Sequence, residues 1–416
     1  MLKRIEHFLP EILIFLFAAL TRFINLNYPS SHFFDEVYHV FTAQQMFRNN
    51  PAAWEWWNTP PQGFAYEWTH PPLAKEFMVL AINIFGDNPF AWRFFSAFFG
   101  TGIIILIYFI ALTLFKNRKI AFLSSMVASL SGLLLVMSRI GMNDSYFVFF
   151  SLLAMLLFLK NKNLLMGVAL GLTLASKWTG VFTGGIILIL FLTRNYKKLF
   201  NNFKILKFSL SLFVIPLIIY LASYTPFFLG HHSPPEQNNS NFQTFIGLQQ
   251  QMWWYHTGLK ATHPYQSRPE QWVFNLRPVW LFVNYESNTV ANIYTLDNPL
   301  IAWFGLISII FLISELFKKF TFPNFLVVIS YLSFFIFWFH SPRIMFNYHY
   351  LASTVFLTIA IGATLNKFWE SREGKIIAFS FLILLFLLFI YFYPLWTGVH
   401  VPVDFNNHYF WLKSWK

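Results

Sequence analysis

Two short polar segments near the start of the chain hold residue types that could carry out chemistry. FFDEVYH (33–39) places adjacent carboxylates, Asp35 and Glu36, just beyond the first apolar run, and THPPLAK (69–75) ends on Lys75 after a His-Pro-Pro turn. A carboxylate can take the proton of an attacking hydroxyl group, and a cation can bind a phosphate group. Acid, base and a rigid corner at a membrane surface predict chemistry on a lipid-borne substrate.

Further isolated charges lie at or near predicted helix ends on the same side of the membrane. They are Arg93, Arg139, Asp144, Lys177 and Arg343. Charges at membrane depth are costly and tend to be functional. None falls in the middle of a predicted span, which argues against a transporter or scramblase, because coupling residues of transporters usually lie near the midplane.

The composition predicts the elements that must position these residues. Of the 416 residues, 56% are hydrophobic and 11% are charged, whereas soluble domains are about 25% charged. Apolar runs of about 20 residues can cross a bilayer as helices. We therefore predict an all-α polytopic membrane protein that forms a single transmembrane domain. The eleven predicted spans are 8–27, 90–115, 120–138, 144–160, 163–176, 178–193, 205–228, 298–317, 322–340, 344–366 and 375–395.

Two long loops and a tail are predicted on the outer side. The first loop, 28–89, includes an apolar run at 76–86 that is too short to span and predicts an interfacial helix. The second loop, 229–297, contains a segment at 242–259 that predicts a second helix lying on the membrane. The tail, 396–416, is predicted to lie on the same surface.

The distribution of charge predicts the orientation. With the N-terminus in the cytoplasm, 17 of the 29 Lys and Arg residues fall in inner segments, mostly short loops, as the positive-inside rule requires. Twelve of the 17 acidic residues fall outside. The net charge of +12 therefore reflects topology and not a nucleic-acid partner. We expect a multi-pass protein of the cell membrane whose active site and C-terminus are extracytoplasmic.

An ordered set of motifs resembles the protein O-mannosyltransferases, which are polyprenyl-phosphate-mannose-dependent glycosyltransferases of the GT-C fold. Besides the two segments above, the resemblance includes the Arg of NPFAWRFFSAFFG (88–100), SRIGMNDSYFVFF (138–150), LGLTLASKWTGVF (170–182), NPLIAWFG (298–305) and FNYHYLAS (346–353). Ala74 replaces the glycine usual in HPPLGK. The second loop lacks the β-trefoil (MIR) domain of eukaryotic members, so the chain resembles a bacterial form.

The resemblance and the residues together suggest roles. A lipid-linked phosphate is a competent leaving group, so one carboxylate suffices as a general base, and we assign that role to Asp35. The resemblance gives Glu36 the positioning of the acceptor, and it gives Arg93 and Lys177 the donor phosphate. The structural alternatives are an N-terminal helix cap for Asp35 and snorkelling to the lipid headgroups for the basic residues.

The remaining candidates have weaker signals. Arg139 and Arg343 are further candidates for the phosphate, and the predicted substrate-binding residues are His70, Lys75, Asp144 and His349. The spacing of Asp35, Glu36 and His39 could hold a metal. Because the resembled family is not known to need one, we predict no metal and no cofactor.

We therefore predict an inverting enzyme that moves mannose from polyprenyl-phosphate-mannose to Ser or Thr hydroxyls of exported proteins. The bilayer is its other partner, and it could act as a homo- or hetero-dimer. Three alternatives remain at this stage. They are a GT-C enzyme with another sugar or with a lipid or glycan acceptor, a transporter or scramblase, and an inactive scaffold subunit.

Overall fold

The computed structural model describes residues 2–196 and 202–416, which fold mostly into helices. Six helical segments in this part of the chain are long and apolar enough to cross a membrane. They are α4 (Pro89–Phe115), the segment Ile205–Ala222, α15 (Pro299–Lys318), α16 with the turn after it (Phe322–His340), α17 with the turn before it (Asn347–Phe368) and α18 (Arg372–Thr397). The segment Ile205–Ala222 consists of the end of α10 (Asn202–Ser209), a π-helical turn and α11 (Ile215–Ala222).

The other predicted spans are helical but shorter or interrupted. The shorter apolar helices are α7 (Asp144–Leu159), α8 (Asn163–Ser176) and α9 (Gly180–Asn195). The first predicted span lies on α1 (Leu2–Phe23). The polytopic helical architecture is confirmed, whereas the number of eleven spans stays a prediction.

The predicted span 120–138 is two helices, α5 (Arg118–Ser129) and α6 (Gly132–Met137). The hydroxyl of Ser131 donates to Asp297 Oδ1 at 2.8 Å and accepts from the Leu134 backbone N–H. Asp297 Oδ1 also accepts from the Leu133 N–H. The buried carboxylate of Asp297 therefore helps to start a new helix at this point, which hydropathy alone could not indicate.

Helix α17 forms the centre of the bundle and packs against α5, α15 and α16. A Cβ atom at Gly362 would lie 2.2 Å from Ser124 Oγ of α5. Only glycine therefore permits this close approach. The tightly packed α17 provides a rigid support for the residues at its outer end.

Helices of the outer loops frame the site. The first loop holds α2 (Glu36–Phe47) and α3 (Leu73–Phe85), so the helix predicted at 76–86 is present and begins earlier. Helix α12 (Thr225–Leu229) lies just before the second predicted loop. Within that loop, α13 (Asn241–Gly258) matches the helix predicted at 242–259. A capping box between Ser240 and Gln243 starts α13.

A small antiparallel sheet, formed by the second predicted loop and the tail, was not predicted. It contains β1 (Trp280–Glu286), β2 (Thr289–Tyr294) and β3 (Val401–Pro402), and it follows the short helix α14 (Pro269–Trp272). The hairpin register pairs Glu286 with Thr289, and β3 pairs Val401 with Val290. The tail, including α19 (Val403–Asn406), therefore joins the second loop through the sheet.

Candidate active site

The side chain of Asp35 does not cap the helix at whose start it lies. It occupies the N-cap position of α2, yet its carboxylate makes no capping hydrogen bond. The preceding residue, Phe34, adopts a left-handed backbone conformation with φ of 49°, which is rare for a bulky residue. The turn thus presents the carboxylate instead of using it as a cap. The helix-cap alternative for Asp35 is wrong.

The surroundings of Asp35 make it a stronger base than an ordinary aspartate. Its pKa is raised to about 7, chiefly by burial and then by the charges of Asp144 and Glu67, against the opposing effect of Lys177 and Arg343. A group with a pKa near 7 combines a large deprotonated fraction at neutral pH with high proton affinity. The geometry therefore suits general base chemistry.

Glu36 and Arg93 form a fully buried ion pair behind Asp35. Arg93 Nε lies 2.7 Å from Glu36 Oε1, and Nη2 lies 2.8 Å from Oε2. The other N–H groups of Arg93 donate to the backbone carbonyls of Leu26, Pro29 and Ser31. All five donors of the guanidinium are therefore used by the protein. This geometry leaves no donor for the phosphate role predicted for Arg93.

Both carboxylate oxygens of Glu36 accept further hydrogen bonds in addition to those from Arg93. Its Oε1 also accepts from the backbone N–H of Gly141 at 2.9 Å, and its Oε2 accepts from that of Phe33. A Cβ atom at Gly141 would come within 2.5 Å of a Val40 methyl group, so glycine permits this approach. Glu36 anchors the loop that carries Asp35 and, in this structure, does not face an acceptor as predicted.

Arg139 likewise binds backbone instead of an open site. Its side chain donates only to carbonyl groups at and just beyond the C-terminus of α1. The carbonyls belong to Thr21, Arg22, Ile24 and Asn25. Cations stabilise helix C-termini in this manner. The structure does not bring Arg139 to the predicted phosphate site.

Lys177 and Asp144 meet at the outer ends of α8 and α7. Lys177 Nζ lies 2.8 Å from Asp144 Oδ1, and both side chains are almost completely buried. They line a small cavity. The other lining residues are Phe147, Thr179, Phe182, Phe334, Trp338, Tyr348, His349, Leu351 and Ala352. An ammonium group in a largely apolar cavity is a strong position for binding a phosphate.

Arg343 supplies a second cation from the segment between α16 and α17. Its Nη1 donates to His256 Nδ1, and its guanidinium lies 5.1 Å from the ring centre of Tyr255. Burial, followed by the Arg343 charge, lowers the pKa of His256 to about 4. The neutral imidazole can therefore accept this bond while its Nε2 donates to the Thr69 carbonyl at 2.7 Å. Within the described chain, Arg343 has no carboxylate partner.

Lys75 and His70 belong to a cluster around Glu67. Lys75 Nζ lies 2.5 Å from Glu67 Oε2, and His70 Nδ1 lies 2.9 Å from Oε1. Burial would raise the pKa of Glu67, but Lys75 and the two nearby histidines hold that pKa well below its usual range. Lys75 is therefore paired inside the protein, and its predicted substrate contact would require this pair to open.

The three residues whose spacing could hold a metal do not come together in the structure. Glu36 points to Arg93, while His39 joins Glu67 and His70, whose candidate ligand atoms lie within 4.8 Å of one another. Two imidazoles and a carboxylate are a donor set that zinc accepts. The ammonium of Lys75 already contacts one oxygen of that carboxylate, so the cluster is also explained as an internal ion pair.

His349 lines the Lys177 cavity from the turn that precedes α17. Its Nδ1 contacts the backbone of Phe346, with 2.9 Å to the carbonyl oxygen and 3.1 Å to the nitrogen. The ring packs between Trp338 and Tyr348. The imidazole is therefore held in a definite orientation at the cavity, as a substrate-binding role requires.

Sequence reasoning missed four residues of the site. They are Glu67, His256, Thr179 and Tyr348. Glu67 is an acid three residues before the His-Pro-Pro turn, and His256 is a basic residue within an aromatic run. Each of these two charged or basic residues could be identified as a candidate from the sequence. What could not be read from the sequence was that α13 and the first loop meet above Lys177.

The helical membrane fold, with carboxylates and cations gathered at one end of its helices, agrees with the GT-C class of glycosyltransferases, whose solved structures share this fold. Two family models cover most of the chain. Residues 12–230 match dolichyl-phosphate-mannose-protein mannosyltransferase, and residues 241–415 match the C-terminal four-helix membrane region of protein O-mannosyltransferase. The chain belongs to the protein O-mannosyltransferase family.

Individual relatives agree with this assignment. The chain is 24% identical to a polyprenol-phosphate-mannose–protein mannosyltransferase of Corynebacterium glutamicum, over 97% of this chain and 92% of the relative. It is 23% identical to a protein of the same description from Mycobacterium tuberculosis, over 100% of this chain and 93% of the relative.

Solved structures share the fold. The Saccharomyces cerevisiae Pmt1–Pmt2 complex bound to the sugar donor superposes with a TM-score of 0.82 at 16% identity, over 98% of this chain and 92% of that one. ArnT from Cupriavidus metallidurans bound to undecaprenyl phosphate gives 0.60 at 15% identity, over 85% of this chain and 60% of that one. The predicted family, the GT-C fold and the reaction class, mannosyl transfer to protein, are confirmed.

Proposed function

We propose that the chain transfers mannose from polyprenyl-phosphate-mannose to Ser or Thr hydroxyl groups of exported proteins, with inversion at the anomeric carbon. The observation that carries the proposal is the carboxylate of Asp35, which makes no capping hydrogen bond at the start of α2 and has a pKa raised to about 7, to which the charges of Asp144, Lys177 and Arg343 contribute. The printed descriptions of the bacterial relatives support the donor and the protein acceptor.

The residues divide the reaction between them. Asp35 takes the hydroxyl proton as the acceptor oxygen forms a bond to the anomeric carbon. The bond from that carbon to the phosphate oxygen breaks, and the polyprenyl phosphate leaves with an additional negative charge. Lys177 and Arg343 stabilise that growing charge in a water-poor site. Glu36 and Arg93 hold the turn that carries the base.

We place this site on the extracytoplasmic side of the cell membrane, with the N-terminus in the cytoplasm. The excess of Lys and Arg in the short inner loops supports this orientation. The predicted homo- or hetero-dimer stays a prediction, as does the absence of a metal or cofactor.

The acceptor and stereochemistry can be tested together. Purified protein is supplied with a short-chain polyprenyl-phosphate-mannose and a Ser/Thr-containing peptide, and the anomeric configuration of the glycopeptide is determined by NMR. We expect the configuration opposite to that of the donor. Retention would contradict single displacement with Asp35 as base, because retention requires a second displacement.

Replacing Lys177 by methionine should lower kcat/KM for the donor by about 10²–10³-fold, as removal of one preorganised charge-stabilising donor does elsewhere. Lys177→Arg keeps the charge and should retain more activity. Lys260→Met, which removes an exposed cation of the second loop, is the matched control. Equal small losses in both methionine variants would show that Lys177 acts only through overall charge.

The reaction should depend on pH through Asp35. Below its raised pKa of about 7 the carboxyl is protonated and cannot accept a proton, so kcat/KM should fall about tenfold per pH unit. Above pH 7 the rate should reach a plateau. Neutralising Asp144 removes a nearby negative charge, so Asp144→Asn should move the midpoint to lower pH. A midpoint near 4 in the unmodified protein would contradict the raised pKa.

A further inference from the structure

Among the residues that the structure describes, two buried oxygen atoms at the Lys177 cavity have no hydrogen-bond partner. Asp144 is only 4% exposed, and while its Oδ1 holds Lys177, its Oδ2 is unpartnered. The hydroxyl oxygen of Thr179 is also buried and unpartnered. Both residues line the same cavity. Buried polar atoms without partners are uncommon, and those in a cavity wall indicate groups that a ligand can satisfy.

The position of Thr179 strengthens this point. Thr179 occupies the N-cap position of α9, where a threonine side chain commonly bonds to the backbone of the first turn. Here no such bond forms. The hydroxyl is therefore not explained by the stability of the helix, and it remains able both to donate and to accept a hydrogen bond.

The charged residues around Asp144 Oδ2 and Thr179 Oγ1 indicate which part of the donor would contact these two atoms. Lys177, which we assign to the phosphate, is bonded to Asp144 itself. Asp144 is also the charged group with the largest effect on the pKa of Asp35. The sugar must lie between the leaving phosphate and the base during displacement. Asp144 contacts the phosphate-binding cation, and its free oxygen and the Thr179 hydroxyl lie in the wall of the same cavity, so both are positioned to meet the sugar.

We infer that Asp144 Oδ2 and Thr179 Oγ1 hydrogen-bond to hydroxyl groups of the transferred hexose and so help to select the sugar. The inference rests on the proposed function. It assigns to the sugar two polar atoms that are not assigned to the donor phosphate. A carboxylate oxygen accepts from a sugar hydroxyl, and the threonine hydroxyl can donate to a neighbouring one. The aromatic and aliphatic wall formed by Phe182, Tyr348 and Leu351 contacts the less polar face of the ring.

The test compares two ligands that differ only by the sugar. The affinities of polyprenyl-phosphate-mannose and of polyprenyl phosphate, with the same chain length, are measured on the full-length protein in detergent. Thr179→Val should weaken binding of the mannosylated lipid about 3–10-fold, and Asp144→Asn about 10–100-fold, since bonds to charged groups are stronger. Thr179→Val should bind polyprenyl phosphate within about threefold of the unmodified protein, whereas Asp144→Asn, whose carboxylate also holds Lys177, should lose more affinity for the mannosylated lipid than for polyprenyl phosphate. Thr179→Ser, which keeps the hydroxyl, is the matched control and should resemble the unmodified protein.

Each alternative predicts a different result. If Asp144 only positions Lys177, its variant will lose affinity for both lipids by the same factor, and the inference is overturned. If the unmodified protein binds neither lipid, the proposed function fails instead. Mannosyl donors lacking one hydroxyl give a second measurement on the unmodified protein. At least one should bind more weakly, and that difference should disappear in Thr179→Val; persistence of the difference for every analogue would contradict the contact.

Discussion

Asp35→Asn is expected to reduce turnover by about 10²–10⁴-fold, the contribution typical of a positioned general base. Asparagine has nearly the same shape and cannot accept the proton of the acceptor hydroxyl. Because the Asp35 carboxylate makes no capping hydrogen bond in the described protein, the substitution removes no such bond. Affinity for the lipid donor should therefore be retained. Single-turnover transfer at saturating donor, with donor affinity measured separately, distinguishes the chemical step from binding.

Asp404→Asn provides the matched control for this experiment. Asp404 is an exposed acid of the tail, in α19, and its replacement should leave turnover unchanged. Asp35→Glu keeps a carboxylate in a displaced position and should retain partial activity. Near-normal turnover in Asp35→Asn would remove Asp35 from the mechanism.

Arg93→Ala is expected to destabilise the protein by about 3–5 kcal/mol, because removing one partner of a buried ion pair leaves the other charge uncompensated. The side chains of Arg93 and Glu36 are completely buried. The substitution also leaves the carbonyls of Leu26 and Pro29 without this donor. Thermal or denaturant unfolding in detergent would measure the loss. Activity should fall together with the folded fraction and through displacement of the turn that carries Asp35.

Arg48→Ala is the corresponding control at an exposed pair. Arg48 contacts Asp87 at 3.4 Å while remaining 58% exposed in its side chain, and such surface pairs contribute about 0–1 kcal/mol. Its replacement should change stability within that range. If Arg93→Ala unfolds at the same temperature as the unmodified protein but binds donor weakly, the guanidinium acts on phosphate and the anchoring role is wrong.

The sequence predicted the gathering of charges better than their partners. In the sequence, each basic residue at an outer helix end is an isolated charge beside an apolar run, whether its side chain binds a ligand or another part of the protein. Arg93 pairs with a residue 57 positions away, and Arg139 reaches carbonyls more than 110 positions away. Which cation remains available depends on how the ends of α1, α2 and α4 meet, and local patterns do not contain that information.

Hydropathy explains both the successes and the omissions in the fold. Long apolar runs predicted the helices well because the bilayer demands internal backbone hydrogen bonding. The sheet was missed although TVANIY is rich in residues that favour strands and follows a two-residue turn with Ser287 at a positive φ of 50°. Membrane periodicity describes long apolar runs, and it does not register a short pattern of strand and turn within a polar loop.

The most direct test of mannosyl transfer to Ser and Thr with Asp35 as the base uses labelled mannose. The purified protein is supplied with a short polyprenyl-phosphate-mannose that carries the label, and transfer of the label is measured. Two acceptor peptides are compared, one containing Ser and Thr and one in which Ala and Val replace them. We expect labelling of the first peptide alone, at a rate that rises toward pH 7 as Asp35 loses its proton. Binding of the lipid without transfer to either peptide, or equal labelling of both peptides, would contradict it.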